Sequence, residues 1–192
     1  MKIPALALIA VLFHSALFAG ETPLAIDTSH SHIEAIITSA MENFTANLTT
    51  YDTIISVDPV EKRVGSAVLK FRFADIKTGN EKRDSTMRAW QQTDQFPECV
   101  YVLDALLPAG GGSFKARGKF ILHGITKDLT IPVTISFANT DTCMIDGDVA
   151  LDTTAFDLPP IRQYVLLKVN PTLQVKFHLE GRVQANLLPE LK

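Results

Sequence analysis

The sequence predicts an all-β fold, an antiparallel up-and-down β-barrel of about eight strands with one short lid helix. Two observations carry that prediction. Runs that alternate between apolar and polar residues recur along the chain with short turns between neighbours, and only the segment near residues 81–92 has a helical pattern instead. A sandwich of two sheets is the alternative, because it produces the same alternation.

The stretch from residue 113 to residue 138 contains the clearest alternation, in two runs that a short polar break separates. We interpret it as a β-hairpin, because alternate residues of a strand point to the same face of a sheet. One face carries charged residues such as Lys115, Arg117 and Asp128. A sheet with one charged and one apolar face suits a barrel with an apolar interior. The apolar face comprises Phe114, Ala116, Gly118, Phe120, Leu122, Leu129, Ile131, Val133, Ile135 and Phe137.

The other strands follow from the same alternation. Near the C-terminus, Val175 and Phe177 are apolar where Lys176 and His178 are polar. Nearest-neighbour turns between so many short strands favour a barrel of the lipocalin-like kind. The predicted strands cover residues 24–27, 32–40, 44–57, 65–76, 98–107, 113–123, 128–138, 142–151 and 169–184.

The single helix has a readable start and one apolar pair. Asn80 lies where an N-cap accepts hydrogen bonds from first-turn amides, and Glu81 lies where the helix dipole favours an anion. Met87 and Trp90 are three residues apart and share a face. A connection between antiparallel strands needs no helix, so we expect this one to cover a barrel end. Met87 and Trp90 then either plug that end or contact a ligand.

The barrel interior is the place where a ligand would bind. An eight-stranded barrel is just wide enough to be filled by side chains or to hold one small ligand. Some inward residues are small and are expected to thin the filling, that is, to leave space beside the larger inward side chains. They are Ala67, Ala116, Gly118 and Gly147. A filled core and an apolar tunnel therefore both stay open. The candidate ligand-binding residues of the lumen and lid are Leu69, Phe71, Phe73, Met87, Trp90, Phe114, Phe120, Ile131, Val133, Ile135, Val149, Val175 and Phe177.

Four segments carry a resemblance to a known family. The hairpin has the pattern G-x-F-x-L-H-G-x-T-x-x-x-x-x-P-V from Gly118 to Val133. Before it come IDTSHSHI (26–33), DIKTGNEKRDSTMRAW (75–90) and QFPECVY (95–101). In this order and spacing they resemble the signature segments of YceI-like proteins. The resemblance implies a barrel, and it implies that the lumen encloses a long isoprenoid or fatty-acyl molecule.

The N-terminus predicts export. Residues 1–20 contain Lys2, then an apolar run, then small residues before Glu21, which is the composition of a secretory signal peptide. An uncleaved anchor helix is the alternative. We expect cleavage, which leaves residues 21–192 as a single YceI-like lipid-binding domain that is periplasmic or secreted and has no stable membrane anchor.

The charge balance bears on partners. The chain has 18 basic and 21 acidic residues, a formal net charge of −3, with both signs interspersed. This charge pattern provides no basic field for nucleic acid. We therefore expect no nucleic acid as a partner. The resemblance implies a long-chain lipid or isoprenoid as the partner, and a homodimer is left open.

The sequence contains only weak indications of a catalytic or metal-binding site. His30 and His32 stand two apart, a spacing that on one strand would put both rings on one face and offer two metal ligands. The sequence shows no established metal-ligand motif around this pair, so no metal or cofactor is expected. Cys99 and Cys143 fall three strands apart at opposite barrel ends and are expected to be buried free thiols. The aspartates, including Asp84, are expected in turns and on outer faces.

These observations favour a non-enzymatic protein that binds a polyisoprenoid, an isoprenoid quinone or a fatty-acyl lipid, for carriage, storage or stress protection. The first alternative is a filled-core barrel whose outer face recruits a protein partner. A weaker alternative is a metal-assisted enzyme that uses His30 and His32.

Overall fold

The structure, a computed structural model of the chain, describes residues 21–38, 42–160, 162–163, 167–168 and 170–184. The predicted signal segment lies outside them. Within the described ranges, the single α-helix is too short to cross a bilayer. The elements are β1 (Thr22–Ile26), β2 (His32–Ile37), β3 (Phe44–Leu48), β4 (Asp52–Asp58), β5 (Arg63–Arg72), β6 (Ile76–Lys77), α1 (Glu81–Gln91), β7 (Glu98–Gly110), β8 (Ser113–Leu122), β9 (Ile125–Phe137), β10 (Thr142–Asp152), β11 (Arg162–Gln163), β12 (Leu167–Lys168) and β13 (Thr172–Val183).

Eight strand positions close into a barrel. β1 and β2 lie end to end in the first position, and β3 and β4 lie end to end in the second. The ring continues through β5, β7, β8, β9, β10 and β13, and every pair is antiparallel. β13 pairs with both β1 and β2, which closes the ring. The predicted up-and-down barrel is therefore confirmed, and the sandwich alternative is wrong.

The first strand position is interrupted at residues 27–31 by local hydrogen bonds. The backbone N–H of Ser29 donates to Asp27 Oδ1 at 3.0 Å, and hydrogen bonds from Ser29 lower the pKa of Asp27 to about 2. The Ser31 hydroxyl donates to the carbonyl of Glu180 at 3.3 Å and accepts from its N–H at 2.9 Å. The Ser31 side chain thus makes the hydrogen bonds to β13 that strand backbone would otherwise make. The strand position is therefore interrupted here, between the end of β1 and the start of β2.

The second strand position is interrupted at residues 49–51. The backbone N–H and the hydroxyl of Thr49 donate to the carbonyl of Asp75 at 3.0 and 2.8 Å. These bonds tie the chain to the 3₁₀ turn after β5 instead of to a neighbouring strand. The prediction of one continuous strand over residues 44–57 is therefore wrong, although both pieces occupy one position in the ring.

The hairpin of β8 and β9 has the predicted face. Phe114 pairs with Val133, and Ala116 pairs with Ile131. The chain reverses at His123–Gly124, where both residues have positive φ angles of 52° and 72°. β9 begins at Ile125, three residues earlier than expected.

The connections place α1 at one end of the barrel, which we call the helix end. α1 lies between β6 and β7, where β5 has ended. The Asn80 side chain accepts a hydrogen bond from the N–H of Arg83 at 3.2 Å, as the predicted N-cap requires. The β8–β9 turn and the segment after β10 lie at the same end, because the strands alternate in direction. The short turns at 59–62, 111–112 and 138–141 lie at the opposite end.

The connection between β10 and β13 contains structure that the sequence analysis missed. A 3₁₀ turn at Thr153–Phe156 is followed by the two-residue strands β11 and β12, which pair with each other. The predicted last strand began at residue 169, whereas β13 begins at Thr172. Strands of two residues are too short to show an alternating pattern, so periodicity does not detect them.

Candidate functional site

A cavity of about 250 Å³ lies inside the barrel. Its wall is almost wholly apolar and is built from side chains of the barrel strands and of α1. The Tyr101 hydroxyl on this wall donates to the carbonyl of Ala116 at 3.1 Å, and burial raises the pKa of Tyr101 to about 12. Side chains therefore do not fill the interior, and the wall presents a surface suited to hydrocarbon.

The structure places twelve of the thirteen predicted candidate residues on the cavity wall. The exception is Phe114, which packs against the core but does not line the cavity. It pairs with Val133 on β9, which does line the cavity, and the structure offers no simple reason for the difference. Contact of the other twelve with a ligand stays a prediction. They are Leu69, Phe71, Phe73, Met87, Trp90, Phe120, Ile131, Val133, Ile135, Val149, Val175 and Phe177.

Some residues of the cavity wall were not among the predicted ones, although the alternation of apolar residues in the sequence could have identified them. β2 and β3 contribute every second residue to the cavity, as the period of a strand requires, and β2 also contributes Glu34. β2 is six residues long and its alternation is weakened by Ile36 on the outer face, whereas β3 alternates fully but over only five residues. The residues concerned are Ile33, Ala35, Ile37, Phe44, Ala46 and Leu48.

Two inward glycines seat aromatic rings instead of leaving space. A Cβ atom on Gly147 would lie 2.2 Å from the ring of Phe177, and one on Gly118 would lie 2.8 Å from the ring of Tyr101. At Gly118 the carbonyl oxygen of Val102 would lie closer still, at 2.2 Å. The expectation that these glycines thin the filling is therefore wrong, because neighbouring groups pack directly against both of them. The two small alanines, Ala67 and Ala116, do line the cavity.

The cavity reaches solvent at the helix end. Among the described lining residues, only Asn170 and Pro171 are exposed, and both precede β13 at that end. The N–H of Asn170 donates to the carbonyl of Thr38 at 3.0 Å, so this edge follows the end of β2. We call the exposed edge formed by Thr38, Asn170 and Pro171 the mouth.

α1 closes the rest of the helix end. Met87 and Trp90 both line the cavity, so the expectation that the helix covers a barrel end is confirmed. The indole Nε1 of Trp90 donates to the carbonyl of Pro159 at 2.7 Å, and its ring packs on Phe73 with centroids 6.4 Å apart. The helix is thus attached to the connection after β10 by one side-chain hydrogen bond.

The opposite end is closed by packed side chains and a polar network. Val57 and Cys143 are fully buried there, and neither lines the cavity. The carboxylate of Glu21 is 6% exposed and accepts from the Ser56 hydroxyl at 2.6 Å. Arg63 lies 3.7 Å from the same carboxylate. A Cβ atom on Gly65 would lie 2.0 Å from Glu21 Oε1, so only glycine leaves room for this carboxylate.

The histidines of the metal hypothesis do not share a strand. His30 lies in the 27–31 turn with its Nδ1 atom 3.1 Å from Asp27 Oδ2, whereas His32 starts β2 and stacks on His178 with ring centroids 5.8 Å apart. The His178 Nδ1 atom lies 2.7 Å from Asp146 Oδ1. In the part of the chain that the structure describes, no three potential ligand side chains are arranged to hold a metal ion.

Asp84 departs from the position expected for the aspartates. Its side chain is buried, contrary to the expectation of a turn or outer face. It accepts from the backbone N–H of Thr78 at 2.9 Å and from the Thr78 hydroxyl at 2.6 Å. Its charge is therefore used to fix the loop that leads into α1, a pairing that strand periodicity does not reveal.

Both cysteines are buried free thiols, as predicted. Cys99 lies at the start of β7, at the helix end, and Cys143 lies at the start of β10, at the opposite end. Burial raises the pKa of each thiol to about 12, so both are neutral at physiological pH and poor nucleophiles.

Several solved structures have the same fold. BcnA of Burkholderia cenocepacia is 23% identical with a TM-score of 0.73, over 81% of this chain and 98% of that one. A polyisoprenoid binding domain from Saccharophagus degradans, implicated in plant cell wall breakdown, is 14% identical with a TM-score of 0.68, over 85% of this chain and 99% of that one. The YCEI protein of Campylobacter jejuni is 14% identical with a TM-score of 0.67, over 76% and 88%.

At these identities the structural likeness shows the fold alone. No curated protein matches the sequence. A YceI-like domain matches it over residues 24–181, which include every strand of the barrel except the first two residues of β1 and the last two of β13. The chain therefore belongs to the YceI-like family.

Proposed function

We propose that this protein binds a long apolar ligand in the barrel and catalyses no reaction on it. The ligand is a polyisoprenoid, an isoprenoid quinone or a fatty-acyl lipid, and the role is carriage, storage or protection under stress. The observation that carries the proposal is the apolar cavity, whose exposed lining residues among those described lie at the helix end. Each methylene that leaves water for such a wall contributes about 0.8 kcal/mol, so a chain of hydrocarbon needs no polar contact inside.

Two further points support this proposal. Family membership and a neighbour named as a polyisoprenoid binding domain favour binding over catalysis. The mouth leaves a polar head group in water while the chain lies inside, because the exposed lining residues Asn170 and Pro171 lie at that end alone. A head group placed deeper would lose hydrogen bonds to water without replacement.

We also propose that the protein is exported and acts in the periplasm or outside the cell. The support is the composition of residues 1–20, which fits a cleaved secretory signal. Intact-mass measurement of protein recovered from a culture should give a mature chain that starts at Gly20 or Glu21. Retention of residues 1–19 in the exported protein would contradict the proposal.

Solvent extraction tests ligand binding directly. Protein purified without detergent is extracted with organic solvent, and the extract is quantified by mass spectrometry against the protein. We expect about one apolar molecule per barrel. Ala116→Phe, which projects a ring into the cavity, should reduce the yield, while Lys115→Phe on the outer face should not. Extracts without lipid, together with no uptake of lipid by the delipidated protein, would overturn the proposal.

A further inference from the structure

One cationic side chain near the mouth lacks a full set of partners. Arg83 lies in the first turn of α1, with its guanidinium carbon 3.9 Å from the centroid of the Phe44 ring. Its Nη1 atom is buried and has no hydrogen-bond partner among the described residues. A buried N–H group without an acceptor costs free energy, and more so on a charged group. The structure therefore holds a guanidinium whose hydrogen-bonding capacity is partly unused.

Arg83 lies on the face of α1 that closes the cavity. Arg83, Met87 and Trp90 stand at positions i, i+4 and i+7, which place them on one side of a helix. Met87 and Trp90 line the cavity. The ring that Arg83 covers, Phe44, also lines it. Arg83 is thus the first member of a stripe that continues as the cavity wall.

The same side chain is close to the mouth. Phe44 pairs with Ile37 across β2 and β3, and Ile37 is followed by Thr38, whose carbonyl accepts from the N–H of Asn170. Arg83 is therefore separated from the mouth by one strand pair, and its side chain is 23% exposed. A ligand whose chain lies in the cavity and whose head lies at the mouth would bring that head to this side chain.

The nearest carboxylate forms only a long ion pair with Arg83, and the next one is used elsewhere. Glu42 Oε2 lies 3.8 Å from Nη2, which is longer than a hydrogen bond, and the Glu42 side chain is 69% exposed. Asp84, the next residue on the helix, uses its carboxylate on the backbone and hydroxyl of Thr78. Arg83 lies in the first turn of α1, where the positive end of the helix dipole also favours a bound anion.

We infer that Arg83 recognises an anionic head group, so that the preferred ligand of the proposed lipid site is an apolar chain that ends in a carboxylate or phosphate. A guanidinium presents paired N–H donors that match the oxygens of these groups. The inference rests on the proposed function, because it concerns the head of the chain that the cavity would hold. The alternative role for Arg83 is a cation–π contact that only attaches α1 to β3.

The test compares two probes with the same chain, hexadecanoate and hexadecanol, titrated into delipidated protein at pH 8. We expect the wild-type protein to bind hexadecanoate about tenfold or more tightly than hexadecanol, as charge-assisted hydrogen bonds require. Arg83→Met, which keeps an apolar stem over Phe44, should remove this preference and leave hexadecanol binding nearly unchanged. Arg83→Lys should keep part of it.

Arg88→Met is the matched control, because Arg88 lies on the same helix and its Nη2 atom is paired with Glu81 Oε1 at 2.6 Å. It should leave the preference intact. Equal affinity of the wild-type protein for both probes would overturn the inference, whether or not Arg83→Met folds. Failure of both probes to bind would instead overturn the proposed function.

The last arm of the test separates a head-group site from a site for free anions. Inorganic phosphate at millimolar concentration should not reduce the preference for hexadecanoate, because the bound chain holds the carboxylate beside Arg83 at a high effective concentration. If phosphate abolished the preference while hexadecanol binding was unchanged, Arg83 would bind free anions, and the head-group inference would be wrong.

Discussion

The two ends of the barrel are closed in different ways. At the opposite end, Val57 and Cys143 are fully buried, and the carboxylate of Glu21 is fixed by Ser56 and Arg63. At the helix end, α1 covers the cavity and is attached to the connection after β10 by the hydrogen bond from Trp90 to Pro159. Packing and polar contacts within the barrel close one end, whereas a separate element covers the other.

The lengths of the connections explain this difference. The opposite end is crossed by turns of two to four residues, so strand side chains themselves must fill it. The helix end carries the connections between β5 and β7 and between β10 and β13, which are long enough to hold α1, two 3₁₀ turns and a small hairpin. Elements held by few contacts open at a lower free energy than the core strands. We therefore expect stability to depend mainly on the opposite end and ligand exchange on the helix end.

The largest expected effect is on stability at the opposite end. Val57→Asp should lower the free energy of unfolding by about 3 kcal/mol or more, because it places an unpaired charge in a fully buried layer. Ile54→Asp is the control on the same strand. Ile54 is 67% exposed, so this change should cost less than about 0.5 kcal/mol. Urea unfolding of both variants measures the difference, and equal costs would show that the opposite end is not closed.

The next effect concerns ligand affinity at the helix end. The double change Met87→Asp and Trp90→Asp should weaken lipid binding by about 1–3 kcal/mol, because both side chains line the cavity. Ser85→Asp with Thr86→Asp, at exposed positions of the same helix, should leave affinity unchanged. Calorimetric titration of delipidated protein measures both. Unchanged affinity in the first variant would leave Met87 and Trp90 as a plug without ligand contact.

The fall of stability at alkaline pH allows the two ends to be compared, because each end contains one buried thiol. Burial raises the pKa of Cys99 and Cys143 to about 12, above the value of about 8.5 for an unfolded chain. The stability that the neutral thiols contribute is fully present below about pH 8.5 and is lost as pH rises toward 12. The loss should reach up to about 1.4 kcal/mol per pH unit for each thiol.

Urea unfolding between pH 8 and 10 measures this slope. Cys99→Ala and Cys143→Ala should each reduce this slope by the contribution of one thiol. A variant at one end that leaves the slope unchanged would show that the thiol at that end is hydrated, and the comparison between the ends would then be revised.

The smallest effect is expected from Trp90→Phe. This change removes the hydrogen bond to Pro159 but keeps an aromatic ring against the cavity, so lipid affinity should change by less than about 1 kcal/mol. Trp90 is the single tryptophan of the chain, so its emission reports on the helix end alone. In the wild-type protein, saturable lipid binding should shift or quench that emission. A titration that saturates without any spectral change would place the ligand away from the helix end.

Much of the fold was predictable because strand period is a local property. The alternation around Phe71, Phe120 and Phe177 predicted which side chains face the interior, and the helix with its Asn80 cap was predicted within one residue of its observed end. Phe114 shows the limit, since the same alternation predicted its inward face but not that it would stay off the cavity wall.

Other features depended on contacts that no local pattern contains. Asp84 was expected outside and is buried, because Thr78 supplies its hydrogen bonds. Gly118 and Gly147 were expected to leave space, but aromatic rings from neighbouring strands cover them. In each case the tertiary fold determines which group contacts the residue. The neighbouring residues in its own strand or helix do not.

The sequence by itself determined the all-β class, the inward and outward faces and the apolar character of the interior, because each follows from the order of apolar and polar residues over a few positions. The tertiary structure decided where the barrel strands break, how each end closes and where the cavity reaches solvent. Those features rest on pairs such as Ser31 with Glu180 and Trp90 with Pro159, which are 149 and 69 residues apart. Contacts at such separations form only when the ring of strands has closed.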